Sequence, residues 1–133
     1  MKKIMLLFLA LFLTVTLAQA AWVKRTTKLS FNDCPAQLDV VGYGCNYVTS
    51  GDNQGKAFAY VNVKAKDSVM LGCAYFKVYG PTGNLIFKIK RRIKVFAGST
   101  ENVYATVPPE AIGGATEISA EVGVGCDCNK PGY

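Results

Sequence analysis

Two long alternating arms meet at Gly80-Pro81-Thr82-Gly83-Asn84, and no other feature constrains the fold of this chain as tightly. Val69–Tyr79 and Leu85–Phe96 each place apolar side chains at every second position, the period of a strand with one buried face. Proline presets φ at the first central position of a turn, and Gly83 is free to take φ > 0. The two arms therefore read as one β-hairpin. Gly72, Ala74, Phe76 and Val78 face inward on it, with Leu85, Phe87, Ile89, Ile93 and Val95 beside them. Cys73, Tyr75, Lys77 and Tyr79 face outward with Ile86, Lys88, Lys90, Arg92 and Lys94, and Arg91 interrupts the inward row. A slip of one residue would exchange the faces and bury the lysines.

The two-residue period recurs along the chain. Trp22–Phe31 reads as an edge strand, and Asn32-Asp33-Cys34-Pro35 ends it. Asp39–Val48 is a strand loosened by Gly42 and Gly44, which point to a bulge or a close backbone approach. In Ala57–Lys66, Ala57, Ala59, Val61, Val63 and Ala65 share one face, and Phe58, Tyr60, Asn62, Lys64 and Lys66 the other. Glu101–Val107 turns Val103, Ala105 and Val107 inward and Asn102, Tyr104 and Thr106 outward. Thr116–Cys126 sets Ile118, Ala120, Val122 and Val124 against Glu117, Ser119 and Glu121. About seven strands, short turns and no long helical period imply an all-β fold, an antiparallel β-sandwich stapled by disulfides. A closed barrel has a similar strand count. The sandwich is preferred because the polar loop Thr49–Gly55 and the Pro108–Gly114 segment, with room for one helical turn, look like crossings between two sheets.

Met1-Lys2-Lys3, the apolar run Ile4–Leu17 and Ala18-Gln19-Ala20 have the order of a secretory signal peptide cleaved after Ala20. The run is short for a membrane span, which needs about 20 residues, and no later segment is apolar enough to serve as one. Residues 21–133 are then expected to form a single exported domain, periplasmic or secreted. Loss of Lys2 and Lys3 leaves 13 basic against 9 acidic side chains, a net of +4. That mild basicity favours anionic surfaces.

Cys34, Cys45, Cys73, Cys126 and Cys128 all lie beyond the leader, where oxidation is the default. Five is odd, so one thiol stays unpaired or joins another chain. Cys126-Asp127-Cys128 has three readings: a redox dithiol, a soft-metal site, or halves of two separate disulfides. The third is preferred because export makes oxidation the default, and the metal reading lacks the second paired cluster that would strengthen it. Cys34 with Cys128 would staple the two ends, and Cys45 with Cys126 or Cys73 would cross-link strands.

Phe76-Lys77-Val78-Tyr79 resembles the signature of FxLYD domains, exported bacterial modules with an immunoglobulin-like sandwich. Val61–Ser68 resembles the strand and turn before that signature, Gly83-Asn84-Leu85 the glycine after it, and Ala97–Thr100 the following small-residue turn. The similarity covers roughly Ala57 to Val124. Val78 stands where the family has leucine, and Gly80 where it has aspartate. The resemblance implies an immunoglobulin-like fold and a non-enzymatic interaction module, with no catalytic residues to transfer.

With no histidine in the chain, Ser-His-Asp and Cys-His arrangements and histidine metal sites are excluded. Glu117 and Glu121 share a strand face about 13 Å apart, beyond the range of about 5–9.5 Å used by paired glycosidase carboxylates. No glycine loop has the phosphate-cradling spacing, and no cofactor is implied. What stands out is charge. Lys88, Lys90, Arg92 and Lys94 project from one face over about 20 Å of strand. Such a stripe suits an anionic partner: lipopolysaccharide, teichoic acid, an acidic glycan or an acidic envelope protein. The more ordinary reading is an edge strand whose basic residues protect it against pairing with another edge. Nucleic acid is disfavoured by export and by the small net charge. Tyr60, Tyr75, Tyr79 and Tyr104 fall on the polar sides of their strands, either as good strand formers or as contact area. A shared tyrosine surface requires Tyr60, Tyr75 and Tyr79 on neighbouring strands, next to Lys77. The expected function is a small binding module using one sheet face, or else an accessory subunit of an envelope assembly that pairs by an edge strand.

Overall fold

The structure is a computed structural model that describes residues 21–30, 38–66 and 69–129. The expected leader and Cys34 lie outside the described residues. Alternation of small and branched apolar residues produces seven strands: β1 (Trp22–Ser30), β2 (Leu38–Tyr47), β3 (Ala57–Ala65), β4 (Met70–Tyr79), β5 (Leu85–Val95), β6 (Thr100–Val107) and β7 (Glu117–Gly125). They form a four-stranded sheet in the order β1-β7-β4-β5 and a three-stranded sheet in the order β2-β3-β6. The chain is an all-β, disulfide-stapled sandwich. The ladders between the described strands are antiparallel except one, because β1 lies parallel to β7. β1 is an edge strand, as the sequence suggests.

The inner faces meet in one core. Ala57, Ala59, Val61, Val63 and Ala65 of β3 are fully buried, and the same cluster holds Ala74, Phe76 and Val78 of β4 and Ile118, Ala120 and Val122 of β7. Burying a valine or phenylalanine side chain contributes about 1.5–3 kcal/mol, so this inward register is strongly specified.

The β4–β5 hairpin forms as expected. Gly83 takes φ +78°, and its N–H donates to the Gly80 carbonyl at 3.1 Å, closing the turn behind Pro81. Two details differ. A bulge between Val78 and Tyr79 brings Leu85 opposite Tyr79, so Leu85 is exposed rather than inward. Arg91 keeps its inward position opposite Ala74 but stays exposed on edge strand β5.

The crossings between sheets also differ from expectation. Thr49–Gly55 does not switch sheets; it joins β2 to its own neighbour β3, closed by Val48 N–H donating to Lys56 O at 2.9 Å. The short turn after β5 makes a switch instead. The Pro108–Gly114 crossing does join the two sheets, and it contains one helical turn, α1 (Pro109–Ile112). Pro109 fits the first turn because its missing N–H has no intrahelical acceptor there, and Ile112 is buried.

β2 carries the expected irregularity. Its register shifts between Val40 and Gly42, leaving Val41 bulged and exposed. At Gly44 a Cβ would stand 2.6 Å from the Tyr60 hydroxyl, so glycine is what lets that ring lie across β2.

Candidate functional site

The basic stripe is built by edge strand β5, which among the described residues is hydrogen-bonded only to β4. Lys88, Lys90, Arg92 and Lys94 are all exposed on the outer face. Across the ladder they stand opposite Lys77, Tyr75, Cys73 and Leu71. Lys88 and Lys77 are thus directly paired like charges, a destabilising arrangement in isolation. Lys77 has Glu121 of β7 as its register partner on the other side. The Lys94 ammonium lies 5.2 Å from the centre of the exposed Phe96 ring, within cation–π range.

The C-terminal tail changes this face. Cys128 is disulfide-bonded to Cys73, with 5.2 Å between their Cα atoms, which folds the segment after β7 back over β4. The Tyr75 hydroxyl donates to the Asp127 carbonyl, and the Lys90 ammonium donates to the Cys128 carbonyl. Asn129 N–H donates to Asp127 Oδ1 at 2.8 Å, turning the tail on itself. Beneath it, Tyr75 stands opposite Gly123 of β7, which has no side chain to displace the ring. Tyr75 points outward, as alternation predicts, yet is only 1% exposed. It is therefore no contact residue for a partner in this structure. Lys77 and Tyr79 are half-buried.

The cysteines sort differently from the sequence expectation. Cys128 pairs with Cys73 and not with Cys34. Cys126 is also disulfide-bonded, so the two halves of the Cys-x-Cys motif belong to separate disulfides. Cys45 is free and buried, which rules out its pairing with Cys126 or Cys73. It belongs to the core cluster, and burial pushes its thiol up to about 11. The odd cysteine is thus a protonated core residue, a poor nucleophile at neutral pH.

Tyr60 is not part of the stripe's surroundings. It lies on β3, in the sheet opposite to Tyr75 and Tyr79, so the three do not form one patch. Its neighbours are on β6 and β2. Tyr60 is in register with Tyr104, with ring centres 6.5 Å apart and ring planes at 43°. One row away Asn62 pairs with Asn102, and on the other side Phe58 pairs with Thr106 and Asn46. These side chains line an open depression of about 530 Å³ on the outer face of the three-stranded sheet. Its members were readable in the sequence as the outward positions of β3 and β6; the useful signal was that Phe58, Tyr60, Asn62, Asn102, Tyr104 and Thr106 carry no charge.

Among the described residues no group of acids, cysteines or histidines is arranged to hold a metal ion, and no helix is long and apolar enough to cross a membrane. No family model matches the chain, and no curated protein does. Among solved structures, the crystal structure of Campylobacter jejuni cj0090 is similar, with a TM-score of 0.50 and 11% identity over 74% of this chain and 95% of that one. At that identity the likeness is one of fold.

Proposed function

We propose that this chain is a small exported, non-enzymatic binding module that engages an anionic cell-envelope polymer or an acidic protein surface through β5. The observation that carries this is the row of Lys88, Lys90, Arg92 and Lys94, exposed along one edge strand. Cations repeated at about 6.6–6.8 Å, every second residue of a strand, match a polyanion better than a single small anion. Lys77 extends the row onto β4. The leader-like residues 1–20, the disulfides and the FxLYD resemblance support an oxidising, extracytoplasmic setting, since disulfides persist there.

A second reading rests on a different property of the same strand. Among the described residues β5 is hydrogen-bonded on one side only, so its other edge offers backbone donors and acceptors to a partner strand. One experiment separates the two. Binding to anionic vesicles or polygalacturonate by the quadruple charge reversal of Lys88, Lys90, Arg92 and Lys94 to Glu is compared with the parent at rising salt. Stripe binding is abolished by the reversal and weakens steeply with salt in the parent. Capture of an envelope protein that survives the reversal assigns β5 to strand pairing instead.

A further inference from the structure

We infer that the outer face of the three-stranded sheet is a second, independent binding site, for an uncharged oligosaccharide or polysaccharide segment. The site is organised in three rows that cross the sheet. The central row runs from Gly44 through Tyr60 to Tyr104. One flanking row runs from Gly42 through Asn62 to Asn102, and the other from Asn46 through Phe58 to Thr106. Rings therefore occupy the middle, and amides lie on both sides of them, each row about 7 Å from the next.

Charge and hydrogen-bonding chemistry select the ligand. The chain has 15 basic and 9 acidic residues, yet none lines this depression. Within the depression an anion or a cation therefore meets no countercharge, in contrast to β5; the next row on this face pairs Lys64 with Asp39. Each amide offers a carbonyl acceptor and two N–H donors. Among the described residues, the side-chain amides of Asn46, Asn62 and Asn102 form no hydrogen bond, while their backbones belong to the strand ladders. A purely apolar partner would bury these groups unpaired, at about 1–3 kcal/mol for each one. A ligand that both donates and accepts at many points, and also has apolar faces to lie on rings, satisfies the whole set. Sugar hydroxyls and the C–H faces of pyranose rings have that combination.

The shape agrees. The two tyrosine rings, inclined at 43°, form an open seat rather than a closed slot. Gly42 and Gly44 leave the β2 side low, because a Cβ at either would collide with Asn62 or Tyr60. A polymer can thus lie across the sheet and continue past it. The volume of about 530 Å³ lies within the usual range of about 300–1,000 Å³ for ligand sites. Tyr104 is 56% exposed, so its ring is displayed without supporting the core.

The test is native affinity electrophoresis of the full processed chain through gels containing dextran, a mixed-linkage β-glucan or a galactomannan, with polygalacturonate as the acidic comparison. At least one neutral polymer is expected to retard the protein, with retardation unchanged between about 0.05 and 0.5 M salt. Tyr104→Ala should weaken it at least about fivefold, as loss of a central aromatic contact does. The same variant should unfold at the parent's urea midpoint. The quadruple β5 charge reversal should leave it intact, which keeps this site separate from the stripe. Failure of all three neutral polymers to retard the protein would overturn the inference. So would retardation that vanishes with salt or survives Tyr104→Ala. A dimer in sedimentation that Tyr104→Ala dissociates would assign the face to a second copy of the chain, and overturns it equally.

Discussion

Tyr75 and Tyr60 each point outward from the middle of a sheet, and each stands opposite a glycine, Gly123 for one and Gly44 for the other. At Gly44 the missing Cβ leaves room for the Tyr60 ring to lie against the neighbouring strand. Their surroundings then diverge. The chain covers Tyr75 itself, folding the Cys126–Asn129 tail over it and fastening the cover through Cys73. Tyr60 is left beside Tyr104 and three amides, with no segment of the described chain above them. An outward position on a strand is thus only an offer of surface. Whether it is taken up internally depends on residues far away in sequence.

Removing the clasp should have the largest effect. A Cys73→Ala, Cys128→Ala double variant releases a loop closed over 55 residues, and the chain-entropy relation gives a loss of about 4 kcal/mol. Urea unfolding measures it. Tyrosine nitration followed by mass spectrometry should find Tyr75 protected in the parent and modified in the variant, with Tyr60 and Tyr104 modified in both. A variant in which Tyr75 stays protected would mean that the tail is held by something other than the disulfide.

Next come the glycines that shape the two sheets. At Gly72 a Cβ would meet the Gly125 carbonyl at 2.8 Å, and backbone cannot swing aside. Gly72→Ala should therefore destabilise by about 1–3 kcal/mol. At Gly44 the obstacle is the Tyr60 ring, which can rotate away, so Gly44→Ala should cost less than about 1 kcal/mol while disturbing the open face. Equal losses at the two positions would show that Tyr60 is held as rigidly as backbone.

Removing a hydroxyl tests the pair of tyrosines directly. Tyr75→Phe deletes the donor to the Asp127 carbonyl and should lower stability by about 1 kcal/mol. Tyr60→Phe should stay within about 0.5 kcal/mol. An effect that appears only at alkaline pH concerns Cys45, next to Gly44 on β2. Its thiol ionises near 9.0 when unfolded and about 11 when folded. Between those values the unfolded chain loses a proton that the folded chain keeps, so stability falls as pH rises from about 9, and nothing changes below it. Relative to Cys45→Ala, the parent should lose up to about 1 kcal/mol at pH 10. Identical pH profiles would show that the thiol is not desolvated in solution.

The strands and inward faces were legible because each is a local property. The alternation in Ala57–Ala65 has one good solution, and its five inward residues are fully buried. The stripe on β5 was legible for the same reason: lysines at every second position have nowhere to go but outward. What escaped was the meeting of distant segments. Tyr75 had the right face and the wrong exposure, because its cover arrives from Asp127 and Cys128. Tyr60 had the right face and the wrong companions, because sheet membership is decided by connections. The seven-residue polar loop Thr49–Gly55 returns within a sheet, while the three-residue turn Ala97–Ser99 crosses between sheets. Loop length does not encode that choice; it follows from which faces must meet to close the core.

The parallel pairing of β1 with β7 also bears on how the molecule comes together in time. Trp22 is in register with Glu117, 95 residues later. Of the described strands, synthesis delivers β1 first and its hydrogen-bonded neighbour β7 last. The hairpins β2–β3 and β4–β5 need only local loop closure, which is fast, whereas this contact waits for nearly the whole chain. Until β7 arrives, the leading strand has no ladder to join.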